Sequence, residues 1–503
     1  MRSLVLASIL SLALARGHGH KPVSTDSLPK DIKLNALLKG SQKLEDFAYA
    51  YPERNRVFGG EAHQDTVNWL YRELKKTGYY DVSKQSQVHL WSNAEQSLTT
   101  ADGTEIDVTT MTYSPSLEKT TAEVVAVSNL GCAVSDYPAD IEGKIALVQR
   151  GDCTFGEKAV YAASAKAIGA IVYNNVAGSL SGTLGAASSE LGPYAPIVGI
   201  AQTDGQALLD LIKTGPTEVE LWIDSQMQNR TTHNVIAKSK GGDHSNEIVI
   251  GGHTDSVNQG PGINDDGSGI VSNLVIAKAL AKYSIKNAVT FAFWTAEEFG
   301  LLGSDYYVQS LSPADLANVR LYLNFDMIAS PNYALMIYDG DGSSFNLTGP
   351  PGSAEIEHLF EDYYKSRGQG FIPTAFDGRS DYEAFILKGI PAGGVFTGAE
   401  QIKTEEQVAL FGGEAGIAYD ANYHAAGDNM TNLNNEAYLL NAQATAFAIA
   451  TYANDLSSIP PKNTTASIQK RSAYYSAVRR ARSTSSSPHS HSGTGCWHSR
   501  VEA

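Results

Sequence analysis

The chain has 503 residues, which is enough for about three domains. Its composition, 42% hydrophobic and 18% charged, is ordinary for a soluble globular protein. The formal net charge of −16 argues against nucleic acid as the main partner, because phosphate binding requires a basic face.

The N-terminus has the pattern of a signal peptide. Arg2 precedes an apolar run over residues 4–14, and Ala13 and Ala15 supply small residues for cleavage. A short buried helix is the alternative interpretation of residues 1–15. No other run approaches the roughly 20 apolar residues of a membrane span. We therefore expect secretion, with the vacuolar lumen as the alternative, and a short propeptide over the polar residues 16–30.

Three cysteines fit an oxidising compartment with few bridges. Cys132 and Cys153 lie in the same segment and could pair, or they could be buried free thiols, while Cys496 falls in the tail. Four Asn-x-Ser/Thr sequons could carry glycans in a secreted protein: Asn229, Asn346, Asn429 and Asn463.

The first half of the chain divides into a helical and a β-rich part. Residues 35–74 show apolar residues at helical spacing, and His63 is expected on the surface of the second helix. Residues 120–223 contain short β-rich segments and an alanine-rich helix over 156–168, with no cluster of His and carboxylates. This block is therefore interpreted as an accessory module.

Residues 232–458 alternate between strands and helices. Strands are predicted at 247–250, 289–294 and 321–325, with a helix over 268–283 that starts at Ser268 as its N-cap. Apolar strands joined by helices imply a mostly parallel sheet that is covered on both faces. The predicted class is α/β, with a central sheet flanked by helices and an inserted β-rich module.

Acidic or imidazole groups follow each of these three strands. They are His253 and Asp255 after the first, Glu297 and Glu298 after the second, and Asp326 after the third. Because the carboxyl ends of parallel strands meet at one edge of a sheet, these groups should converge. Buried carboxylates at such density need compensating positive charge, which a divalent metal cluster would supply.

A charge balance indicates the size of this cluster. With Asp265, Glu298 and Asp326 as ligands, three negative charges and a bound hydroxide balance two divalent cations. His424 is the best candidate for a second imidazole beside His253. Nitrogen and oxygen ligands without a nearby Cys favour zinc, with manganese or cobalt as alternatives. Asp266 is interpreted as a neighbour that structures the loop.

The motifs GGHTDSV, GINDDGSG, FAFWTAEEFGLLGS, NFDMI, DGRSDYEAF, GGVFTG and NYHAAGD together resemble the family of bridged di-zinc aminopeptidases. The likeness covers residues 35–453. The segment GKIALVQRGDCTFGEKAVYAASAKAIGAIVYNN is similar to the protease-associated domain. This combination resembles fungal secreted leucine aminopeptidases and yeast vacuolar aminopeptidase Y. No residue departs from the family pattern at a metal position.

The resemblance implies roles for the metal ligands. Asp265 would bridge two Zn²⁺ ions. His253 and Asp326 would complete one site, and Glu298 and His424 the other.

The resemblance also implies roles for the residues around the metals. Glu297 would be the general base, Asp255 would hold the His253 ring, and Tyr423 would donate to the oxyanion. A strand-end cap is the alternative for Asp255, and plain packing the alternative for Tyr423. Substrate-binding roles fall on three further residues: Met327 and Phe396 in an apolar pocket, and Arg379, with Asp326, near the substrate amine.

The implied organisation is a peptidase domain over 31–119 and 232–458, interrupted by the protease-associated insert at 120–223. A basic tail over 459–503, with seven Lys and Arg against one Glu, is expected to be disordered. The implied function is a secreted, monomeric metallo-aminopeptidase that releases apolar, Leu-like residues from peptides. The alternatives are a carboxypeptidase of the glutamate-carboxypeptidase type, which needs basic side chains around its pocket, and a non-catalytic receptor, which would have lost metal ligands.

Overall fold

The computed structural model describes residues 20–461, apart from 177, 179 and 186. The predicted signal peptide, nearly all of the predicted tail, Asn463 and Cys496 lie outside these residues. No helix in the described part is both long and apolar enough to cross a membrane.

The chain begins with a short strand and three helices. These are β1 (Lys21–Pro22), α1 (Leu28–Asp31), α2 (Leu34–Tyr49) and α3 (Glu61–Lys76). The helical prediction for 35–74 is thus confirmed as two helices. Val23 and Leu28 are buried in the main core, and β1 pairs with a later strand. From residue 20 onward, the segment that the sequence marks as a possible propeptide packs against the main core.

The next segment is β-rich. Its elements are β2 (Tyr80–Thr100), β3 (Glu105–Ile106), β4 (Val108–Thr110), β5 (Leu117–Ala126), β6 (Ile145–Gln149), α4 (Phe155–Ser164), β7 (Gly169–Tyr173), β8 (Ile197–Ile200), α5 (Gln202–Thr214) and β9 (Glu218–Ser239), with 3₁₀ turns at Asn129–Gly131 and Val134–Asp136. A disulfide joins Cys132 to Cys153. It connects the 3₁₀ turns to the start of α4.

The last segment alternates strands and helices. Its elements are β10 (Asp243–His253), α6 (Gly267–Leu280), β11 (Tyr283–Ser284), β12 (Asn287–Trp294), α7 (Leu302–Ser310), α8 (Pro313–Asn318), β13 (Val319–Phe325), β14 (Met336–Tyr338), α9 (Ser353–Ser366), β15 (Ile372–Thr374), α10 (Tyr382–Ile386), β16 (Ala392–Phe396), α11 (Glu405–Phe411) and α12 (Asn435–Asn454), with a 3₁₀ turn at Met430–Asn432.

One 14-stranded sheet runs through both segments in the order β15-β14-β16-β13-β10-β12-β9-β5-β6-β7-β8-β4, with β2 and β3 off this path. The strands β12, β10, β13 and β16 are parallel, whereas β9 pairs antiparallel with β12 and β14 antiparallel with β16. The predicted α/β fold is confirmed, and the strands that end in the candidate site form its parallel centre.

Both faces of the parallel centre are covered. Helices α2, α6, α9 and α12 contribute to the larger core, in which Ile248, Ile250 and Phe291 are buried. On the opposite face, Tyr322 stacks on Phe385 of α10 with ring centroids 3.9 Å apart. Burying apolar area on both faces stabilises the sheet and fixes where its strands end.

Helix α6 begins one residue earlier than the sequence predicts. Its N-cap is Asp266, whose side chain accepts from the Gly269 amide, so the prediction of Ser268 as N-cap is wrong. The Ser268 hydroxyl instead donates to the Asn264 carbonyl and accepts from the Ile328 amide. The helix ends at Leu280, because Tyr283 leaves it to pair with β1.

The sequons within the described residues differ in exposure. Asn229 on β9 and Asn346 are exposed. Asn429 is half-buried, and its side-chain oxygen accepts from the amide and hydroxyl of Thr431.

Candidate active site

The three parallel strands deliver their polar side chains to one edge of the sheet. Nε2 of His253, at the end of β10, lies 3.0 Å from Oδ1 of Asp265 and 3.6 Å from Oδ1 of Asp326. Glu297, which follows β12, lies 3.8 Å from the same nitrogen. The predicted convergence therefore exists in the fold.

His424 reaches the same place from a loop far along the chain. Its Nε2 lies 3.0 Å from Glu298 Oε2 and 3.2 Å from Asp265 Oδ2. Asp265 thus stands between two imidazoles, with Oδ1 facing His253 and Oδ2 facing His424. Two groups of ligand atoms, close enough to hold one cation each, share this part of the site: His253, Asp265 and Glu298 in one, and His253, Glu297 and Asp326 in the other.

Burial disfavours the ionised carboxylates of this cluster. Oε1 of Glu297 and Oδ1 of Asp326 are buried and accept no hydrogen bond within the described chain. Burial and neighbouring carboxylates raise the pKa of Glu297 well above its usual value. Burial opposes ionisation of Asp265 as well, but hydrogen bonds from His253 and His424 lower its pKa. Buried nitrogen and oxygen donors with excess negative charge fit divalent cations.

Asp266 ties three elements together beneath the cluster. Its carboxylate accepts from the amides of His253 and Met327 in addition to that of Gly269. The end of β10, the start of α6 and the residue after Asp326 are therefore fixed to one side chain. The peptide bond between Asp265 and Asp266 is cis.

Asp255 supports the site differently from the expected contact. Its Oδ1 lies 3.8 Å from Nδ1 of His253, whereas its main-chain carbonyl lies at 3.3 Å. The carboxylate accepts from the Glu297 amide at 3.1 Å. Burial raises the pKa of Asp255 to about 7. The carbonyl orients the imidazole, and the carboxylate holds the strand end that carries Glu297 and Glu298.

A cavity beside Asp265, Glu297 and Asp326 contains the residues predicted to bind substrate. Its lining includes Met327, Phe396, Arg379 and Tyr423, together with the aromatic ring of Tyr338. We call it the first-residue cavity.

Arg379, in the lining of the first-residue cavity, forms an ion pair with Glu400. Arg379 binds both carboxylate oxygens of Glu400, at 2.8 and 3.1 Å, and its second nitrogen lies 3.4 Å from the Tyr423 hydroxyl. The Tyr423 ring stacks on His424 with centroids 3.8 Å apart. Sequence reasoning missed Glu400, because no motif pairs it with an arginine 21 residues earlier.

The chain matches two family models, peptidase family M28 over residues 234–449 and the PA domain over 120–208. It is 66% identical over its full length to the full length of "probable leucine aminopeptidase 2" of Aspergillus oryzae. It is 56% identical to leucine aminopeptidase 2 of Trichophyton rubrum, with 89% of the chain and 90% of that protein covered. The chain belongs to peptidase family M28.

Solved structures of aminopeptidases resemble this one. The aminopeptidase from Aneurinibacillus sp. strain AM-1 superposes with a TM-score of 0.67 at 28% identity, covering 85% of this chain and 95% of that one. A zinc aminopeptidase from Bacillus subtilis gives 0.61 at 25% identity, covering 85% and 94%. These relatives identify the chain as a metallo-aminopeptidase and support zinc as its metal.

Arg56 is a buried cation of this M28 site that the sequence did not reveal. Its guanidinium donates to the carbonyls of Thr254, Pro261 and Gly262. Burial lowers its pKa, while Asp255 and other nearby carboxylates oppose that shift. Arg56 therefore fixes the loop between His253 and Asp265. An isolated arginine about two hundred residues before its partners carries no sequence signal.

His63 contradicts the expectation of a surface residue, since it is only 1% exposed. Its Nε2 lies 2.8 Å from the Thr254 hydroxyl and 3.4 Å from that of Thr295. Burial, with a smaller effect from Arg56, lowers its pKa to about 3. His63 is thus a neutral support under the residues next to His253 and Glu297.

Asp428 holds the main chain at Asp265. Its carboxylate accepts from the amides of Asn264 and Asp265 at 2.8 and 3.0 Å. Burial, together with the nearby Asp420, raises its pKa to about 8. Asp428 lies in the NYHAAGD motif, so the motif signalled its importance without indicating its contact.

Proposed function

We propose that this metallo-aminopeptidase binds two zinc ions and releases apolar, Leu-like residues from the N-termini of peptides. The observation that carries the proposal is the position of Asp265, whose two carboxylate oxygens each face a different imidazole. A carboxylate shared in this way suits a bridge between two cations.

The same distances support the ligand sets that the family resemblance implies. His253 and Asp326 would hold one zinc, Glu298 and His424 the other, and Asp265 both. Bound zinc would supply a Lewis acid for the scissile carbonyl and lower the pKa of a water molecule.

The chain's own groups would move the protons. Glu297 would take a proton from the attacking water and return it to the leaving amine. Its buried Oε1, which accepts no hydrogen bond from the described residues, is available for that transfer. Tyr423, whose hydroxyl lines the first-residue cavity, would donate to the carbonyl oxygen as negative charge develops there.

The first-residue cavity supports a preference for apolar side chains. Met327, Phe396 and Tyr338 provide apolar walls, and burying a Leu side chain against them contributes about 1.5–3 kcal/mol. Because Glu400 pairs with Arg379, the substrate's cationic amine would meet carboxylates such as Asp326 rather than an uncompensated guanidinium.

The carboxypeptidase alternative is weaker for the same reason. Arg379 is the one Lys or Arg in the described lining of the first-residue cavity, and it already binds Glu400. A substrate carboxylate would have to displace that pair. Hydrolysis of a free peptide and an N-blocked peptide of equal sequence distinguishes the two activities.

The test of the mechanism is Glu297→Gln. Because the amide cannot accept the proton, turnover of a leucyl anilide should fall about 10²- to 10⁴-fold while zinc content is retained. Exposed Glu406 offers a matched control, and Glu406→Gln should leave both quantities unchanged. Near-normal kcat of Glu297→Gln would sink the assignment of the base.

We also propose that the protein is secreted as a glycosylated monomer, with vacuolar delivery as the alternative. The predicted signal sequence, the Cys132–Cys153 disulfide and the exposed sequon residues Asn229 and Asn346 support secretion and glycosylation. Detection of the unglycosylated protein in the cytosol, with an intact N-terminus, would contradict it.

A further inference from the structure

A second cavity touches the proposed metal ligands through a different set of residues. The first-residue cavity touches Asp265, Glu297 and Asp326, whereas the second touches Glu298 and His424. Two cavities thus border one cluster. The second has a volume of about 400 Å³, within the range of ligand-binding clefts.

Two domains form this second cavity, which we call the interdomain cleft. One wall comes from the peptidase domain, with Asn258, Gln259 and Phe299. The other comes from the chain before the insert, with Gln96, Thr109, Thr110, Thr112 and Tyr113, and from Ser181, Gly182 and Thr183 of the insert itself. Because β4 also pairs with β8 of the insert, this wall depends on the insert.

The cleft has a mixed apolar and polar lining that carries no charge beyond the proposed metal ligands. Apart from Glu298 and His424, its lining within the described chain contains no Asp, Glu, Lys, Arg or His. The polar groups are amides and hydroxyls instead. Such groups can donate to and accept from the main chain of a peptide, whereas a charged side chain would be desolvated there without a partner.

Several of these groups are held in place by the fold. The Gln96 amide donates to the Val108 carbonyl and accepts from the Thr110 hydroxyl. The side-chain oxygen of Asn258 accepts from the Trp91 indole at 3.2 Å. The wall is therefore preorganised, which lowers the entropy lost when a ligand binds.

We propose that the interdomain cleft binds the peptide downstream of the scissile bond, so that β4 and residues 181–183 of the insert line the subsites for the following residues. This inference rests on the proposed aminopeptidase function: with the N-terminal residue in the first-residue cavity, the rest of the peptide would leave along the cluster, and Glu298 and His424 are the cluster residues that line the interdomain cleft. The ligand class is an extended peptide with uncharged side chains after its first residue.

A charge-reversal pair at Thr109 tests the proposal. Thr109 lines the cleft and is half-buried on β4. The measurement is kcat/KM for Leu-Lys-Lys-amide divided by kcat/KM for Leu-Glu-Glu-amide at about 0.1 M salt, where screening confines charge effects to about 10 Å. Thr109→Glu should raise this ratio about two- to five-fold, and Thr109→Lys should lower it by a similar factor.

The matched control is Thr121, an exposed threonine on β5 of the insert. Thr121→Glu and Thr121→Lys should leave the ratio at the wild-type value. Equal ratios for the two Thr109 variants would overturn the proposal. If a Thr109 variant does not fold, Gln259→Glu and Gln259→Lys on the opposite wall replace the pair, since Gln259 is exposed. The Glu variant should again raise the peptide ratio and the Lys variant lower it. Equal ratios would again overturn the proposal.

The two proposals fail separately. Absence of leucyl anilide turnover by the zinc-loaded wild-type protein would refute the aminopeptidase function itself. Normal anilide turnover by the wild type, with no inversion of the peptide ratio between the charge-reversed variants, would refute the interdomain cleft alone.

Discussion

Asp265 is the one carboxylate proposed to bind both zinc ions. Because each of its oxygens faces a different imidazole, Asp265→Asn removes the charge shared by both proposed zinc sites. We expect zinc content to fall to one ion per chain or less, measured by elemental analysis after dialysis. Asp224→Asn, on the exposed face of β9, is the control. A content of two zinc ions per chain in Asp265→Asn would contradict the proposal that Asp265 bridges them.

His63 predicts a specific dependence of stability on pH. Its folded pKa is about 3, against about 6.5 when unfolded, so between these values the unfolded chain binds a proton that the folded chain does not. Stability is therefore lost as the pH falls below 6.5. Wild type should lose about 2 kcal/mol more unfolding free energy than His63→Gln between pH 7 and pH 5.

Urea unfolding at the two pH values measures this difference. The exposed His244 provides the control, since His244→Gln should keep the wild-type dependence. Equal losses in wild type and His63→Gln would show that His63 is protonated in the fold.

Individual residues differ in how far sequence reveals them. His253, Glu298 and Asp326 follow apolar strands, so the rule that parallel strands meet at one edge predicts their proximity. Arg56 and His63 act on Thr254 across about two hundred residues, and their own surroundings in the chain are unremarkable. A contact made only by the tertiary fold leaves no local pattern.

At the scale of elements, glycine at the end of β10 allows the close approach that the site needs. A Cβ on Gly252 would collide with the Asp266 carboxylate and lie 2.8 Å from the Phe325 carbonyl. Gly252→Ala must therefore displace β10 or its neighbours. We expect it to lower zinc content and to cost about 1–3 kcal/mol of unfolding free energy.

Gly241 is the matched control for this substitution. It precedes β10, and a Cβ there would meet no atom within 4 Å. Gly241→Ala should leave zinc content and the thermal unfolding midpoint close to wild type. If Gly252→Ala kept the zinc content and the unfolding free energy of the wild type, the end of β10 would tolerate movement.

The elements also show where sequence patterns fail. The strands β10, β12 and β13 are predicted from their continuous apolar runs, because both of their faces are buried. The paired strands β2 and β9 are mostly half-buried or exposed, so they lack such runs, and the sequence analysis predicts neither of them. The N-cap of α6 was misassigned because Asp266 and Ser268 are both good capping residues, and only tertiary contacts distinguish them.

At the scale of the molecule, metal binding and folding should be coupled. Without cations, the buried carboxylates of Asp265, Glu298 and Asp326 repel one another at the centre of the sheet. Removing zinc with a chelator should lower the unfolding midpoint by about 5 °C or more, and added zinc should restore it. An unchanged midpoint after verified metal loss would exclude this coupling.

The long ribbon of β2 and β9 also constrains the order in which the protein can assemble. All 21 residues of β2, Tyr80–Thr100, pair with β9. Along the chain, however, residues 101–217 separate the two strands. The helices α2 and α3 emerge from the ribosome before any strand of the parallel centre has been made.

Residues 101–217, which include most of the insert, are synthesised after β2 and before β9. Once residues 101–217 have folded, they hold β2 and β9 side by side, so the chain closes a short gap instead of a long loop. Residues 101–217 are then the first part of the molecule that can be complete. Helix α3 packs on β2 and β9, whereas α2 meets α6 only after synthesis reaches the C-terminal half.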